Sequence, residues 1–251
     1  VGSEMCIRDR STVNVKTKDF RWVMDFNLAH NKSKINRLNV RDNSYEPSRE
    51  GYSVGAVFSL KTAGLDENGL QMFYNKQGEK VSFNDFFGLE YGYMMGGLIP
   101  FLKSNLSAEE YRNLFTYEGT TEPKFTGGWI NRFYYKNFDL TVSASFVLDQ
   151  TVQEQPFYNP VQTSPGQNYS RRMSQIWSPD NTSGKYPRIM GTYTEGEENW
   201  AYQWLGMLDP GNSYRKYDYW FKKMSYMRIN SIRLGYTFPC LLYTSDAADD
   251  T

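Results

Sequence analysis

Residues 125–150 read FTGGWINRFYYKNFDLTVSASFVLDQ, and the fold turns on how that stretch is interpreted. In its second half Phe138, Leu140, Val142, Ala144, Phe146 and Leu148 alternate with Asp139, Thr141, Ser143 and Ser145, and Val147 is the one break. A period of two sustained this long is the mark of a strand with unlike faces. Lys136-Asn137 supplies a polar turn, so the stretch predicts a β-hairpin. One face of the second arm is apolar and the other hydroxylic. That suits a strand between hydrocarbon and a wet lumen, where spanning takes ~9–11 residues. It suits one sheet of a soluble sandwich equally well, and the arm alone leaves both open. In the first arm Ile130 and Tyr134 oppose Trp129, Phe133 and Tyr135, which leaves both of its faces mixed.

Composition points to an all-β chain. Aromatic residues make up 17% of 251 residues, with 20 Tyr and 16 Phe, yet mean hydropathy is −0.66. Rings on a polar background fit strand faces and interfacial girdles. No run approaches the ~18 apolar residues of a membrane helix. A membrane role therefore requires strands that pair all their backbone groups, as in a barrel.

The two ends look foreign to this pattern. VGSEMCIRDR (1–10) and CLLYTSDAADDT (240–251) resemble translated adapter sequence, and the fold is expected within 11–239. Both cysteines, Cys6 and Cys240, fall in those flanks, so no disulfide or thiolate-metal site is expected in the body. The flanks take two basic and five acidic residues, leaving 26 against 23, a balance of about +3. That is too even to imply a nucleic-acid partner.

Taken in order, residues 11–17 alternate as a first strand, and Lys18-Asp19 makes a short turn. Phe20, Trp22, Met24, Phe26 and Leu28 then share one face of a second strand that ends near His30. With a single histidine there is no second imidazole for a metal site or relay. Glu67-Asn68-Gly69 and Gln77-Gly78 bracket a short strand around 70–74. LSAEEYRNLF (106–115) predicts one short loop helix, with Ser107 and Glu110 as a capping box. Residues 151–220 are irregular but hold four of the six tryptophans, which predicts a folded loop. In the last strand Met227 and Ile229 are out of phase with Ile232, Leu234 and Tyr236. One extra residue near Asn230-Ser231, a β-bulge, restores a common face.

Connection lengths constrain topology. Short turns alternate with the long connections 31–124 and 151–220, the layout of an outer-membrane barrel. Strand direction must also alternate, so residues 53–74 contribute two barrel strands or none.

Four segments now carry a family resemblance. EGYSVGAVFSLKTAGLDENGLQMFYNKQGEKV (50–81), PKFTGGWINRFYYKNFDLTVSASF (123–146), IWSPDNTSGKYPR (176–188) and YWFKKMSYMRINSIRLGYTFP (219–239) are collinear. Together they resemble the C-terminal barrel region of SusC/RagA-type TonB-dependent outer-membrane transporters of Bacteroidetes. The resemblance implies an antiparallel segment of a transmembrane β-barrel with long extracellular loops, located in the cell outer membrane. It implies nutrient uptake of glycans or peptides, a SusD-type surface lipoprotein as lid, contact with outer-membrane lipid, and energy from the TonB complex. Family barrels of about 22 strands also hold a plug and TonB box, so this chain corresponds to a fragment, with about five clear strands and two unpaired edges that disfavour a stable monomer. The alternative class is an all-β surface binding or adhesion protein without transport.

No catalytic constellation is present in the sequence, no nucleophile–base pair stands out, and no cofactor or metal is expected. The candidate substrate contacts are Trp177, Asp180, Asn181, Arg188, Trp200 and Trp204, because flat rings stack on sugars or peptides and polar groups beside them fix orientation. The competing expectation is that these rings pack the loop on itself or against the lid. The family's recurrent loop motif favours that structural role for Trp177, Pro187 and Arg188.

Overall fold

The computed structural model describes residues 1–39, 43–94, 99–161, 166–189, 204–205 and 209–238. Strand β1 (Gly2–Lys16) turns into β2 (Phe20–Lys34) where the Thr17 N–H donates to the Phe20 carbonyl at 2.8 Å and the Thr17 hydroxyl accepts the Phe20 N–H at 3.0 Å. Short elements follow: β3 (Ala56–Ser59), β4 (Thr62–Leu65), β5 (Gln71–Tyr74), β6 (Lys80–Val81), α1 (Phe83–Phe86), β7 (Leu89–Met94), β8 (Ile99–Ser104), α2 (Ala108–Arg112) and β9 (Thr116–Thr120). Then come the long hairpin strands β10 (Phe125–Tyr135) and β11 (Phe138–Gln153), and finally β12 (Phe221–Tyr236).

The long strands form one sheet in the order β1-β2-β10-β11-β12, while β3-β9, β4-β5-β6 and β7-β8 are separate small sheets. Because β2 pairs directly with β10, the open question about residues 53–74 resolves: they add no strand to the long sheet. The chain divides into two compact units. A sheet unit comprises Val1–Lys34, Glu122–Gln150 and the chain from Lys223, and a loop unit comprises Ile35–Thr121 and Thr151–Lys222.

Within the sheet unit, register decides which side chains share a face, since directly opposed residues lie on the same side. Phe26, Trp129 and Ala144 form one rung, and Trp22, Phe133 and Leu140 another. Between them, on the opposite face, lie the rungs Asp25, Ile130 and Ser143, and Val23, Arg132 and Thr141. The mixed first arm is thereby sorted: Trp129, Phe133 and Tyr135 join the apolar rows of β2 and β11, and Ile130 and Tyr134 lie on the polar face. An amide, Asn131, sits among the apolar rungs beside Met24 and Val142. Its Oδ1 accepts the Trp22 indole N–H at 3.0 Å, so the oxygen is not left unpaired where that would cost most. Gly127 is required in the same row. A Cβ there would lie 2.3 Å from the Asn27 carbonyl oxygen and 2.6 Å from the Phe146 ring.

Aromatic rings gather near the short turns. Trp22 stacks on Phe133 with centroids 5.7 Å apart, and Phe138 meets Tyr236 at 4.6 Å. This is where an interfacial girdle is expected. On the polar face Ser143 and Ser231 hydroxyls lie 2.8 Å apart, and the Ser145 hydroxyl donates to Asn230 Oδ1 at 3.2 Å. Consecutive residues of a regular strand point to opposite faces. Two neighbours of β12 reaching one face fit the bulge expected at Asn230-Ser231. Ile232 and Leu234 are 66% and 70% exposed, so beyond the Tyr236–Phe138 contact the apolar row of this edge strand is left largely uncovered. The expectation of foreign ends is not decided by these contacts: residues 2–10 extend β1 along β2, and 240–251 lie outside the described residues.

The loop unit has its own aromatic core. Phe73 of β5 stacks on Phe86 of α1 at 4.3 Å, Phe87 lies 5.0 Å from Trp204, and the fully buried Trp220 stacks on Tyr186 at 5.6 Å. The Trp220 indole N–H donates to the Tyr214 carbonyl at 3.0 Å. The described residues of the tract after β11 therefore form a folded loop, as its tryptophans predict. The Ser107–Glu110 capping box is complete, but α2 covers five residues, and Leu106, Leu114 and Phe115 pack on the core from its flanks. The expectation of one loop helix falls short, because α1 is a second. Its cap repeats the same chemistry, with the Ser82 hydroxyl accepting the Asp85 N–H at 3.1 Å. Asp209 staples a third segment, accepting the Tyr111 hydroxyl at 2.6 Å and the Gly211 N–H at 3.1 Å. Burial, and then the Asp209 charge, push the Tyr111 phenol well above its ordinary pKa.

Candidate functional site

A groove of about 880 Å³ opens on the loop unit between the end of β5, α1, α2 and the start of β9. Tyr52, Tyr74 and Tyr117 line it and are 40–41% exposed, a large ring area left facing water. Tyr52 and Tyr117 stack at 4.8 Å with planes 29° apart, and Phe58 braces them edge-on at 5.2 and 5.8 Å. The pair is brought together by the β3–β9 ladder, in which Phe58 is opposite Tyr117.

Charges of both signs surround these rings, and most are already engaged. Lys61 pairs with Glu118, which also accepts the Ser59 hydroxyl at 2.6 Å. Asp85 accepts the Ser82 hydroxyl at 2.6 Å, and Glu110 accepts the Ser107 backbone N–H at 2.8 Å, which holds its carboxyl below the usual range. Asn75 is spent on its own turn, its Oδ1 accepting the N–H groups of Gln77 and Glu79. By contrast the three phenol hydroxyls and the side chains of Lys76, Gln77 and Asn113 make no hydrogen bond among the described residues.

The motif loop 176–188 lies elsewhere in the same unit. Trp177 is 8% exposed and packs over Gly69, whose φ is +76° and where a Cβ would lie 2.4 Å from the indole. The Trp177 N–H donates to the Tyr186 carbonyl at 2.9 Å, and the Arg188 N–H to the Gly69 carbonyl at 3.0 Å. Asn181 pins the turn, its Nδ2 donating to the carbonyls of Ser174 and Ile176 at 3.1 and 3.2 Å. Asp180 is exposed, whereas Asn181 and Arg188 are half-buried. Trp204 is 2% exposed in the aromatic core, and Trp200 lies outside the described residues. Of the six sequence candidates, then, four share one turn and one belongs to the core. None of these five described candidates lines the tyrosine groove. No signal along the chain could pair Tyr52 with Tyr117, because 65 residues separate them and tertiary pairing alone makes them neighbours.

A charged clamp fixes the long tract. The Arg172 guanidinium lies 4.5 Å from the Phe157 ring and 5.9 Å from that of Trp220, and it donates to the Tyr186 hydroxyl at 2.7 Å and to Glu154. Lys222 also donates to Glu154. The Lys222 and Arg172 hydrogen bonds hold the Glu154 carboxyl below the usual carboxylate range.

Strands with one apolar and one polar face, joined by short turns, form an antiparallel sheet of the kind found in outer-membrane β-barrels. Comparison with known proteins agrees. No family model matches the chain. The chain is 28% identical over 205 residues to TonB-dependent receptor P3 of Formosa agariphila, covering 74% of this chain and 18% of that protein. Its fold is similar to the structure of the RagAB peptide transporter, with a TM-score of 0.61, 17% identity, and coverage of 96% of this chain and 24% of that one. The RagAB peptide importer in an open-open state aligns with a TM-score of 0.59 at 16% identity, over 98% of this chain and 23% of that one. By sequence and by fold the chain thus resembles the outer-membrane TonB-dependent receptors, and it spans less than a quarter of the length of these relatives.

Proposed function

We propose that the chain is part of the barrel wall of a TonB-dependent outer-membrane transporter of the SusC/RagA type, importing a glycan or peptide beneath a SusD-type surface lipoprotein. The observation that supports this most is the register of β2, β10 and β11. It collects most of the large apolar side chains on one face and Asp25, Arg132, Thr141 and Ser143 on the other, as a wall between lipid and an aqueous lumen requires. The work of transport comes from the TonB complex acting through parts of the transporter outside this chain. Residues 1–10 and 240–251 are read as foreign to that wall. Trp177, Asn181 and Arg188 hold the motif loop in shape, and Asp180 is the member of that turn best placed to meet a ligand or the lid.

Uptake separates this reading from mere surface binding. The full-length transporter carrying this chain is expressed in an outer-membrane host, and uptake of labelled oligosaccharide and peptide mixtures is followed with and without TonB. Uptake should vanish without TonB while the surface amount is unchanged. Equal uptake in both hosts, or binding with no uptake in either, contradicts the proposal.

A further inference from the structure

We infer that the groove beside the Tyr52–Tyr117 pair is a stacking subsite for a neutral oligosaccharide. The inference rests on the importer reading above and names the ligand class its loop unit would take. Three observations converge on it. First, Tyr52, Tyr74 and Tyr117 keep about two-fifths of their surface exposed inside one concave site, and Phe58 braces two of them into a fixed platform. A rigid flat ring costs little entropy to place against the C–H face of a pyranose. Second, the hydrogen-bonding groups left unengaged there are phenols, the amides of Gln77 and Asn113, and one ammonium, Lys76. Each can serve a hydroxyl as donor, and all but the ammonium can also accept. Third, the charges lining the groove balance, Lys61 and Lys76 against Asp85 and Glu110, and the two carboxylates are held in place by Ser82 and Ser107. The site therefore offers no strong net field to a polyanion or polycation.

A bound peptide would leave a different imprint. Capture of an extended peptide by strand addition needs a continuous free strand edge. Here the walls take only the last residue of β5, the last of β6 and the first two of β9, with helical or turn residues between them, so no strand runs along the groove for a peptide to extend.

The test is titration calorimetry on the full-length transporter in detergent, using cellohexaose, maltohexaose, laminarihexaose and a mixed hexapeptide pool as probes. At least one hexaose should bind. Tyr117→Ala should weaken it by about tenfold or more, whereas Tyr117→Phe, which keeps the ring, should stay within about threefold. Gln77→Ala, on an exposed turn clear of the ring stack, provides a second variant that should also weaken binding. The thermal midpoint of each variant is measured alongside. Failure of every hexaose to bind overturns the inference, as does hexaose binding indifferent to Tyr117→Ala and Gln77→Ala. Peptide binding that Tyr117→Ala weakens overturns the ligand class. TonB-dependent uptake is scored separately on the same variants, so an importer with a different binding site is told apart from a chain that is no importer.

Discussion

Gly69 and Trp177 show how one residue fixes the role of another. The glycine has φ +76°, a backbone region that side chains rarely adopt, and the indole occupies the space a methyl group would need. Gly69→Ala should lower the unfolding stability of the loop unit by about 1–3 kcal/mol through overpacking, and Trp177→Ala by about 3–5 kcal/mol through the cavity it leaves. Both should reduce the surface amount of transporter without changing which ligands it takes. A normal surface amount with an altered ligand profile would instead make Trp177 a contact residue. At this scale the sequence was legible where chemistry is local. Ser107 and Glu110 announce their cap, and Ser82 with Asp85 repeats the signal less conspicuously. It was illegible for the tyrosine groove, whose rings become neighbours through the β3–β9 ladder alone.

At the level of elements, the clamp of Arg172, Glu154 and Lys222 joins the residue after β11, the 3-10 turn Arg171–Gln175 and the start of β12. Glu154 has its carboxyl pKa depressed in the folded state. Its stabilising effect is therefore complete above the ordinary value of about 4.3 and is lost as pH falls through the lower folded value. Lys222 is 61% exposed, so solvent screening keeps the effect to about 1 kcal/mol or less. Thermal midpoints recorded between about pH 6 and pH 3 should fall more steeply for the native chain than for Glu154→Gln. Parallel curves would show that the clamp contributes nothing pH-dependent. Strands β2 and β11 were legible as elements because alternation persists in them for about ten residues. The face of β10 was not, since Ile130, Tyr134 and Asn131 blur its alternation. Cross-strand register and the Trp22–Asn131 hydrogen bond sort it instead.

For the whole molecule, connection lengths allowed residues 53–74 two long strands or none, and the direct β2–β10 pairing selects none. What connection lengths do not encode is that the two long insertions build a unit with its own aromatic core. The central claim is that β11 stands between lipid and water, and it can be measured directly. The body of the chain, Ser11 to Pro239, has no cysteine, so single cysteines can be placed in turn from Leu140 to Phe146 of the full-length transporter in liposomes, with both flank cysteines removed. Spin labels there report contact with oxygen, which concentrates in lipid, and with a water-soluble nickel complex. Positions 140, 142, 144 and 146 should favour oxygen and 141, 143 and 145 the nickel complex, alternating with a period of two. If the apolar positions are shielded from oxygen, as inside a sandwich, or if no alternation is seen, β11 is not a membrane strand and the account fails.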